Sequence, residues 1–266
     1  SQGFTGLIID LRNNPGGLIT SVADVADKFI DNGTIVSTKS RLNYENSVYT
    51  ASVKRTTMPK NIPIVVLINK GSASASEILS GALKDYHLAY LVGERTYGKG
   101  SVQQVVPLPN SDGIKLTMAR YYTPSDSNID KIGIPPDLIV TMPELSEEEE
   151  KIYIDLITSS EISDYVEEHP DMTEAHITSY AKQLGYRYKL NPLYLRRIVK
   201  LEVYRTKMQP LYDLDFDIQL NEAIRIVNDP NFYTLLKSTK TLKELQEESQ
   251  KTLDQDNKES NIEDNK

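Results

Sequence analysis

The chain contains 266 residues, of which 39% are hydrophobic and 26% are charged, so it holds enough apolar material for a folded core. Its 38 acidic side chains outnumber the 30 basic ones, and the net charge of −8 argues against a general nucleic-acid-binding protein. There is no cysteine, which excludes disulfide scaffolds, cysteine-ligated metal centres and cysteine nucleophiles.

The first half of the chain alternates strand-like and helix-like patterns. Residues 6–12 and 62–68 are apolar runs that predict buried strands, and helical spacing follows them at residues 22–30 and 75–87. We predict further strands at residues 34–38, 89–93, 102–108, 113–122 and 137–141, and a polar hairpin at residues 39–57. Strands that alternate with helices predict an α/β fold built on βαβ crossovers.

The composition changes after Pro143, where helix-starting residues become frequent. Ser146, Thr173 and Asn191 each precede a helical pattern, and a fourth helix is predicted at about residues 216–228. We therefore divide the chain into a core of residues 1–142, a helical region of residues 143–246 and an acidic, disordered tail of residues 247–266.

Two further expectations concern membranes and the start of the chain. No apolar run approaches the roughly 20 residues that a transmembrane helix needs. The chain enters its first strand almost at once, with no initiator Met and no targeting segment, so we expect an upstream part to be missing.

The sequence GSASASEI at residues 71–78 joins a buried strand to a helix through small residues. Such a turn can present the hydroxyl of Ser74 at the carboxyl edge of a sheet, with the first N–H groups of the helix directed at whatever it attacks. The alternative is a structural turn in which a serine caps the helix.

A nucleophilic serine needs a base, and the three histidines are poorly placed for a Ser-His-Asp triad. His169 and His176 fall in the helical region, and His87 closes the helix roughly three to four turns from Ser74. Lys99 lies between two glycines that can bring it close to another strand. A lysine base must be neutral, so burial around Lys99 is expected.

Three other groups can complete the site. Gln103 follows Lys99 by four residues and can hydrogen-bond the amine. The turn DLRNNPGG at residues 10–17 offers the N–H of Gly16 or Gly17, which can bind an oxyanion together with the N–H of Ala75. The alternatives are a solvent-facing loop lysine and a tight turn before a helix. The acidic residues show no metal-ligand spacing, and we expect neither a metal nor a cofactor.

Six motifs occur in the order typical of one enzyme family. They are DLRNNPGG at 10–17, GSASASEI at 71–78, YGKG at 97–100, KLT at 115–117, ARYYTPS at 119–125 and GI at 133–134 with Pro136-Asp137. The chain thus resembles the C-terminal processing (tail-specific) serine peptidases almost continuously over residues 4–141. Asp217-Ile218-Gln219-Leu220 with Ala223 resembles the closing helix of that family.

The resemblance implies a crotonase-like ββα core and an extracytoplasmic location, in the cell envelope or an organelle lumen. It implies that Ser74 is the nucleophile, Lys99 the general base and Gln103 its orienting partner, with Ala75 and Gly16 or Gly17 at the oxyanion. The chain departs from the family in lacking the upstream PDZ domain, in an apparent insertion at residues 143–213, and in residues 126–130.

The leading hypothesis is a serine endopeptidase with a Ser–Lys dyad that cleaves proteins near their C-termini through an acyl-enzyme. A crotonase-type acyl-CoA enzyme would need neither Ser74 nor Lys99. The third hypothesis is an inactive peptidase-like scaffold whose helical region binds a partner. The expected partners are protein or peptide substrates and a second copy of the chain through the helical region, but not nucleic acid.

Overall fold

A computed structural model of the chain describes residues 3–41, 46–109, 112–205, 207–208 and 210–263. Its strands are β1 (Leu7–Asp10), β2 (Asn32–Ser40), β3 (Ser47–Ser52), β4 (Ile64–Ile68), β5 (Tyr90–Gly93), β6 (Ser101–Pro107), β7 (Gly113–Tyr122) and β8 (Leu138–Ile139). Its helices are α1 (Ile19–Ala26), α2 (Ala75–Asp85), α3 (Glu147–Thr158), α4 (Glu161–Glu168), α5 (Glu174–Arg187), α6 (Pro192–Val203), α7 (Ile218–Val227), α8 (Phe232–Lys237) and α9 (Leu242–Glu263). The chain divides into two compact units, Ser1–Thr141 with Glu222–Lys266, and Met142–Asn221.

The first unit contains two four-stranded sheets. One is parallel, in the order β1-β4-β5-β8, and the other is antiparallel, in the order β3-β2-β7-β6. Every residue of β4 is buried, as its continuous apolar sequence predicts for a strand covered on both faces. The predicted α/β class is confirmed. The division of the strands into two sheets was not predicted. The pattern of side chains along one strand does not reveal which sheet that strand joins.

Helix α2 crosses from β4 to β5, and its C-terminal end is firmly held. Lys84 and Asp137 form an ion pair whose side chains are 1% and 6% exposed. The next residue, Asp85, accepts hydrogen bonds from the N–H groups of Ser125 at 2.9 Å and Leu242 at 2.8 Å. Buried charges are stable only when they are paired, so these contacts give α2 one position relative to the sheet.

The segment after Glu222 belongs to the first unit, whereas the sequence analysis counted residues 143–246 as one helical region. The reason is a set of contacts with the end of α2. Leu242 is 1% exposed within the core, and the hydroxyl of Thr239 lies 2.9 Å from Nδ1 of His87. Gln246 Nε2 donates to the carbonyl oxygen of Asn128 at 2.9 Å.

The predicted disordered tail differs most from the structure, which places residues 247–263 in α9. Thr241 and Glu244 cap the start of this helix, with Thr241 Oγ1 2.8 Å from Glu244 Oε2. Once its first turn is anchored by Leu242, the following Glu, Gln and Lys residues favour helix propagation. The last predicted tail residues, 264–266, lie outside the described residues.

The second unit consists of helices around a core of its own. Leu156, Ile177, Leu184, Leu195 and Val199 are buried in that core. The helices predicted after Ser146, Thr173 and Asn191 begin there, because each of these side chains accepts a hydrogen bond from a first-turn N–H. The short helix α4 has no such cap, and its start was not predicted.

Two basic residues of α5 and α6 illustrate how carboxylates engage these helices. Arg187 pairs with Glu161, and Lys200 pairs with Asp213 at 2.8 Å and Asp215 at 3.3 Å. Burial acts to lower the pKa of Lys200, but these partners outweigh it and the pKa lies above its ordinary value.

Among the described residues, no helix is both long and apolar enough to cross a membrane.

Candidate active site

Apart from Gln103, which lies in β6, the predicted site residues come from segments that follow three neighbouring strands. The turn at residues 10–17 leaves β1, the turn at residues 69–77 leaves β4, and residues 94–100 leave β5. Since these strands are parallel and adjacent, their carboxyl ends lie at one edge of the sheet. The topology thus brings to one edge residues that are as far apart in sequence as Gly16 and Lys99.

Ser74 stands at the start of α2 in a strained backbone conformation. Its φ of 55° and ψ of −114° place a non-glycine residue where few L-residues occur. Such strain typically marks a functional turn, because the surrounding structure must enforce it. The residue is half-buried, and the neighbouring Ala75 and Ser76 are buried.

The turns after β1 and β4 are tied together by hydrogen bonds. Ser72 Oγ donates to the carbonyl of Leu11 at 2.7 Å, and Ser76 Oγ donates to the carbonyl of Asn14 at 3.0 Å. The N–H of Ala73 donates to the same Asn14 carbonyl at 3.0 Å. The serines on either side of Ser74 therefore have structural roles, which leaves Ser74 as the hydroxyl available for chemistry.

Gly16 approaches the Ser74 turn so closely that a side chain cannot be accommodated. A Cβ atom there would lie 2.6 Å from the carbonyl oxygen of Ala73, 2.7 Å from the nitrogen of Ala75 and 2.8 Å from Cβ of Ser74. Its φ of +101° also requires glycine. The glycine pair after β1 thus lies directly beside the predicted nucleophile.

The backbone N–H groups at this contact are not equivalent. The N–H of Gly16 donates to Oδ1 of Asn14 at 2.9 Å and so is already satisfied. In the described part of the chain, the N–H groups of Ala75 and Gly17 have no hydrogen-bond acceptor. Of the two predicted glycines, Gly17 is therefore the one with a donor to offer an oxyanion.

A residue that the sequence analysis gave no role, Glu77, connects the two halves of the predicted dyad. Its carboxylate is fully buried and accepts four hydrogen bonds. Oε2 accepts from the N–H of Ser74 at 2.9 Å and from the N–H of Lys99 at 2.7 Å. Oε1 accepts from the N–H of Gly98 at 2.7 Å and from Oγ1 of Thr96 at 2.5 Å. One carboxylate oxygen thus fixes the backbones of Ser74 and Lys99 relative to each other.

The side chains of Lys99 and Gln103 do not meet the expectation of a buried base. Both residues are exposed, and in the described part of the chain no hydrogen bond joins either side chain to Ser74. The backbone N–H of Lys99 contacts Glu77, but its side chain lies on the surface, because no described segment covers the loop. The burial that a lysine base requires must come from something that covers this loop.

The Lys99 loop is supported from below by residues 123–134. Thr96 Oγ1 accepts from the N–H of Ile134 at 2.7 Å, and the N–H of Thr96 donates to the carbonyl of Ile134 at 3.1 Å. The carbonyl of Gly98 accepts from the N–H of Lys131 at 2.8 Å. Thr96 therefore connects residues 131–134 to Glu77. This role of Thr96 was not predicted, because its hydrogen-bond partners are distant from it in sequence.

Other titratable groups lie outside this arrangement. His87 is bound to Thr239 at the far end of α2. The N–H of Tyr121 donates to the carbonyl of Gly100 beside Lys99, and burial, with a smaller effect of Tyr49, raises the pKa of this phenol. The described residues contain no cluster of three or more His, Asp or Glu side chains that could hold a metal ion.

Comparison with known proteins gives matches over the first half of the chain. Residues 1–140 match the profile described as Peptidase family S41. The chain is 47% identical over 138 residues to the "Carboxy-terminal-processing protease" of Bartonella bacilliformis, covering 52% of this chain and 31% of that protein. It is 43% identical over 137 residues to the "C-terminal processing peptidase, chloroplastic" of Tetradesmus obliquus, covering 52% of this chain and 29% of that one.

A solved structure described as a photosystem II D1 C-terminal processing protease matches with 42% identity and a TM-score of 0.46, covering 53% of this chain and 36% of that chain. The chain therefore spans about a third of the length of these three proteins.

Proposed function

The chain belongs to peptidase family S41, and on that premise we propose that it carries the Ser–Lys catalytic centre of a serine endopeptidase acting near the C-termini of proteins. The observation that supports this most strongly is the single Glu77 oxygen that accepts from the N–H groups of both Ser74 and Lys99. The contact with Ser74 is part of a capping box at the start of α2, which a structural turn also has. The contact with the N–H of Lys99 goes beyond what a helix cap needs, and it is the part that supports a catalytic pair.

The proposed reaction uses Ser74, Lys99 and two backbone N–H groups at the Ser74 turn. Ser74 Oγ attacks the carbonyl carbon of the substrate while the neutral amine of Lys99 takes the hydroxyl proton. The N–H groups of Ala75 and Gly17 stabilise the oxyanion that forms. Lys99 then returns the proton to the departing amine as the C–N bond breaks, and water hydrolyses the acyl-enzyme by the reverse sequence.

The exposed position of Lys99 has a consequence for this mechanism. A lysine acts as a general base only in its neutral form, which burial favours, so Lys99 must be covered before it can act. We propose that a bound substrate, or a probe that occupies the same site, supplies this cover, and that Gln103 orients the amine once that molecule is in place.

Labelling with a fluorophosphonate probe tests the proposal, because such a probe reacts with an activated serine. We expect stoichiometric modification of Ser74 in the full-length protein and none in Ser74→Ala. Ser72→Ala and Ser76→Ala are matched controls on the same turn and should still be labelled. Absence of labelling in a folded protein that binds peptides would favour the alternative, a peptidase-like scaffold that binds a partner through its helical unit.

We also propose that the helical unit joins two copies of the chain. Ile157 and Leu201 are 51% and 43% exposed and line one groove of about 560 Å³. Exposed apolar side chains that share a groove are typical of an interface, and two-fold dimers are the commonest assembly. Sedimentation at micromolar concentration should give a dimer, which Ile157→Glu with Leu201→Glu should dissociate; a monomeric wild-type protein contradicts this proposal.

A location outside the cytoplasm, in the cell envelope or an organelle lumen, is part of the same proposal. It is supported by the resemblance of the chain to processing peptidases, one of which carries the word chloroplastic in its name.

A further inference from the structure

Strand β6 is an open edge that begins beside the predicted base. It is the last strand in the order β3-β2-β7-β6, so in the described part of the chain only β7 pairs with it. Its first residue, Ser101, is two positions after Lys99, and residues 103–107 are exposed. Long exposed edges invite pairing with another chain, and proteins usually cover or interrupt them.

Hydrogen bonds at the two ends of β6 show which of its residues bond to β7. The N–H of Leu108 donates to the carbonyl of Asp112 at 2.8 Å, and the N–H of Tyr121 donates to the carbonyl of Gly100 at 2.6 Å. Bonded and non-bonded pairs alternate along an antiparallel ladder. With the observed register, the even-numbered residues of β6 therefore bond to β7.

The odd-numbered residues consequently direct their backbone groups outward. Ser101, Gln103 and Val105 each present an N–H and a carbonyl to the open edge. Pro107 occupies the next outward position and has no N–H to give. The edge thus offers a short row of unpaired backbone groups that starts at the Lys99 loop and ends at Pro107. Because proline has no N–H, it limits pairing with other chains beyond that point.

We infer that the polypeptide substrate binds as an added strand along the edge of β6 between Ser101 and Val105. This inference rests on the proposed function, and it describes how the Ser74–Lys99 site holds its substrate. A substrate strand is favoured over other occupants because the edge is continuous with Lys99, which must be covered for catalysis. Main-chain hydrogen bonds hold any extended sequence, while side-chain pockets would select particular ones.

The test is steady-state cleavage of a peptide substrate by the full-length protein carrying Val105→Pro. Proline removes the outward N–H at a position where no bond to β7 is lost, so the strand should still form. Loss of that contact should raise KM by about 3- to 10-fold, with kcat and fluorophosphonate labelling of Ser74 unchanged. Val106→Ala, on the same strand but with its backbone groups bonded to β7, should retain the wild-type KM.

A second measurement needs no variant of the enzyme. Substrates that are N-methylated at one residue at a time should be cleaved poorly at every second position, because alternate residues of an added strand face β6. Equal KM for Val105→Pro and the wild type, together with no alternation in the N-methyl series, overturns strand addition while leaving the peptidase intact. A wild-type protein that neither cleaves nor labels overturns the proposed function itself. Dissociation of a dimer by Val105→Pro would instead assign the edge to a second copy.

Discussion

Replacement of Lys99 by arginine is expected to lower kcat for peptide-bond cleavage by about 10²- to 10⁴-fold, the usual contribution of a general base. Arginine keeps the positive charge and the length of the side chain, but its guanidinium does not deprotonate in proteins. The backbone N–H that contacts Glu77 also remains, so the loop should keep its position. The measurement is kcat and KM for a peptide substrate, with Lys99→Ala beside it.

The control for this experiment is Lys28→Ala, which removes another exposed lysine of the same unit, far from Ser74 and Lys99 in sequence. Its kcat should equal that of the wild type. If folded Lys99→Arg cleaves within tenfold of the wild type, Lys99 is not the base and the dyad mechanism is wrong.

Replacement of Glu77 by glutamine is expected to lower kcat by about 10²-fold, although this side chain touches no substrate in the proposed mechanism. Glutamine has the same size, but its amide NH2 would face N–H groups where the carboxylate now accepts four hydrogen bonds. Buried donors without acceptors are unfavourable, so the Ser74 turn and the Lys99 loop should move apart. A displacement of about 1 Å can cost that factor in rate.

The role of Glu77 is tested by comparing it with Thr96→Val, which removes the hydroxyl that donates to Oε1 and accepts from the N–H of Ile134. Because Oε2 still holds the N–H groups of Ser74 and Lys99, we expect a smaller loss of kcat. In Glu77→Gln, KM should change little and Ser74 labelling should slow in proportion to kcat. Equal kcat for Glu77→Gln and the wild type contradicts a positioning role, and thermal unfolding separates that role from a general loss of stability.

The family and the fold class could be predicted from sequence because their signals are local. Continuous apolar runs at residues 64–68 indicate a strand buried on both faces, and the small residues around Ser74 indicate a tight strand-to-helix turn. The resemblance to C-terminal processing peptidases is confirmed by the match of residues 1–140 to peptidase family S41. The roles of Ser74, Lys99 and Gln103 stay predictions.

The disagreements between sequence and structure concern groups whose environment is set by distant segments. Burial of Lys99 could not be read from its flanking glycines, because exposure depends on what folds over the loop. The choice between Gly16 and Gly17 depends on the side chain of Asn14, which takes the first of the two N–H groups. The helix at residues 247–263 depends on an anchor, Leu242, that contacts the distant Asp85.

By itself, the sequence determined the strand and helix order of the core, the turn that carries Ser74, and the family. Only the tertiary structure decided that Glu77 joins Ser74 to Lys99, and that the odd-numbered residues of β6 face an open edge. The physical reason is that periodicity and turn chemistry act over a few residues, whereas a hydrogen bond between two loops exists only after their strands have paired.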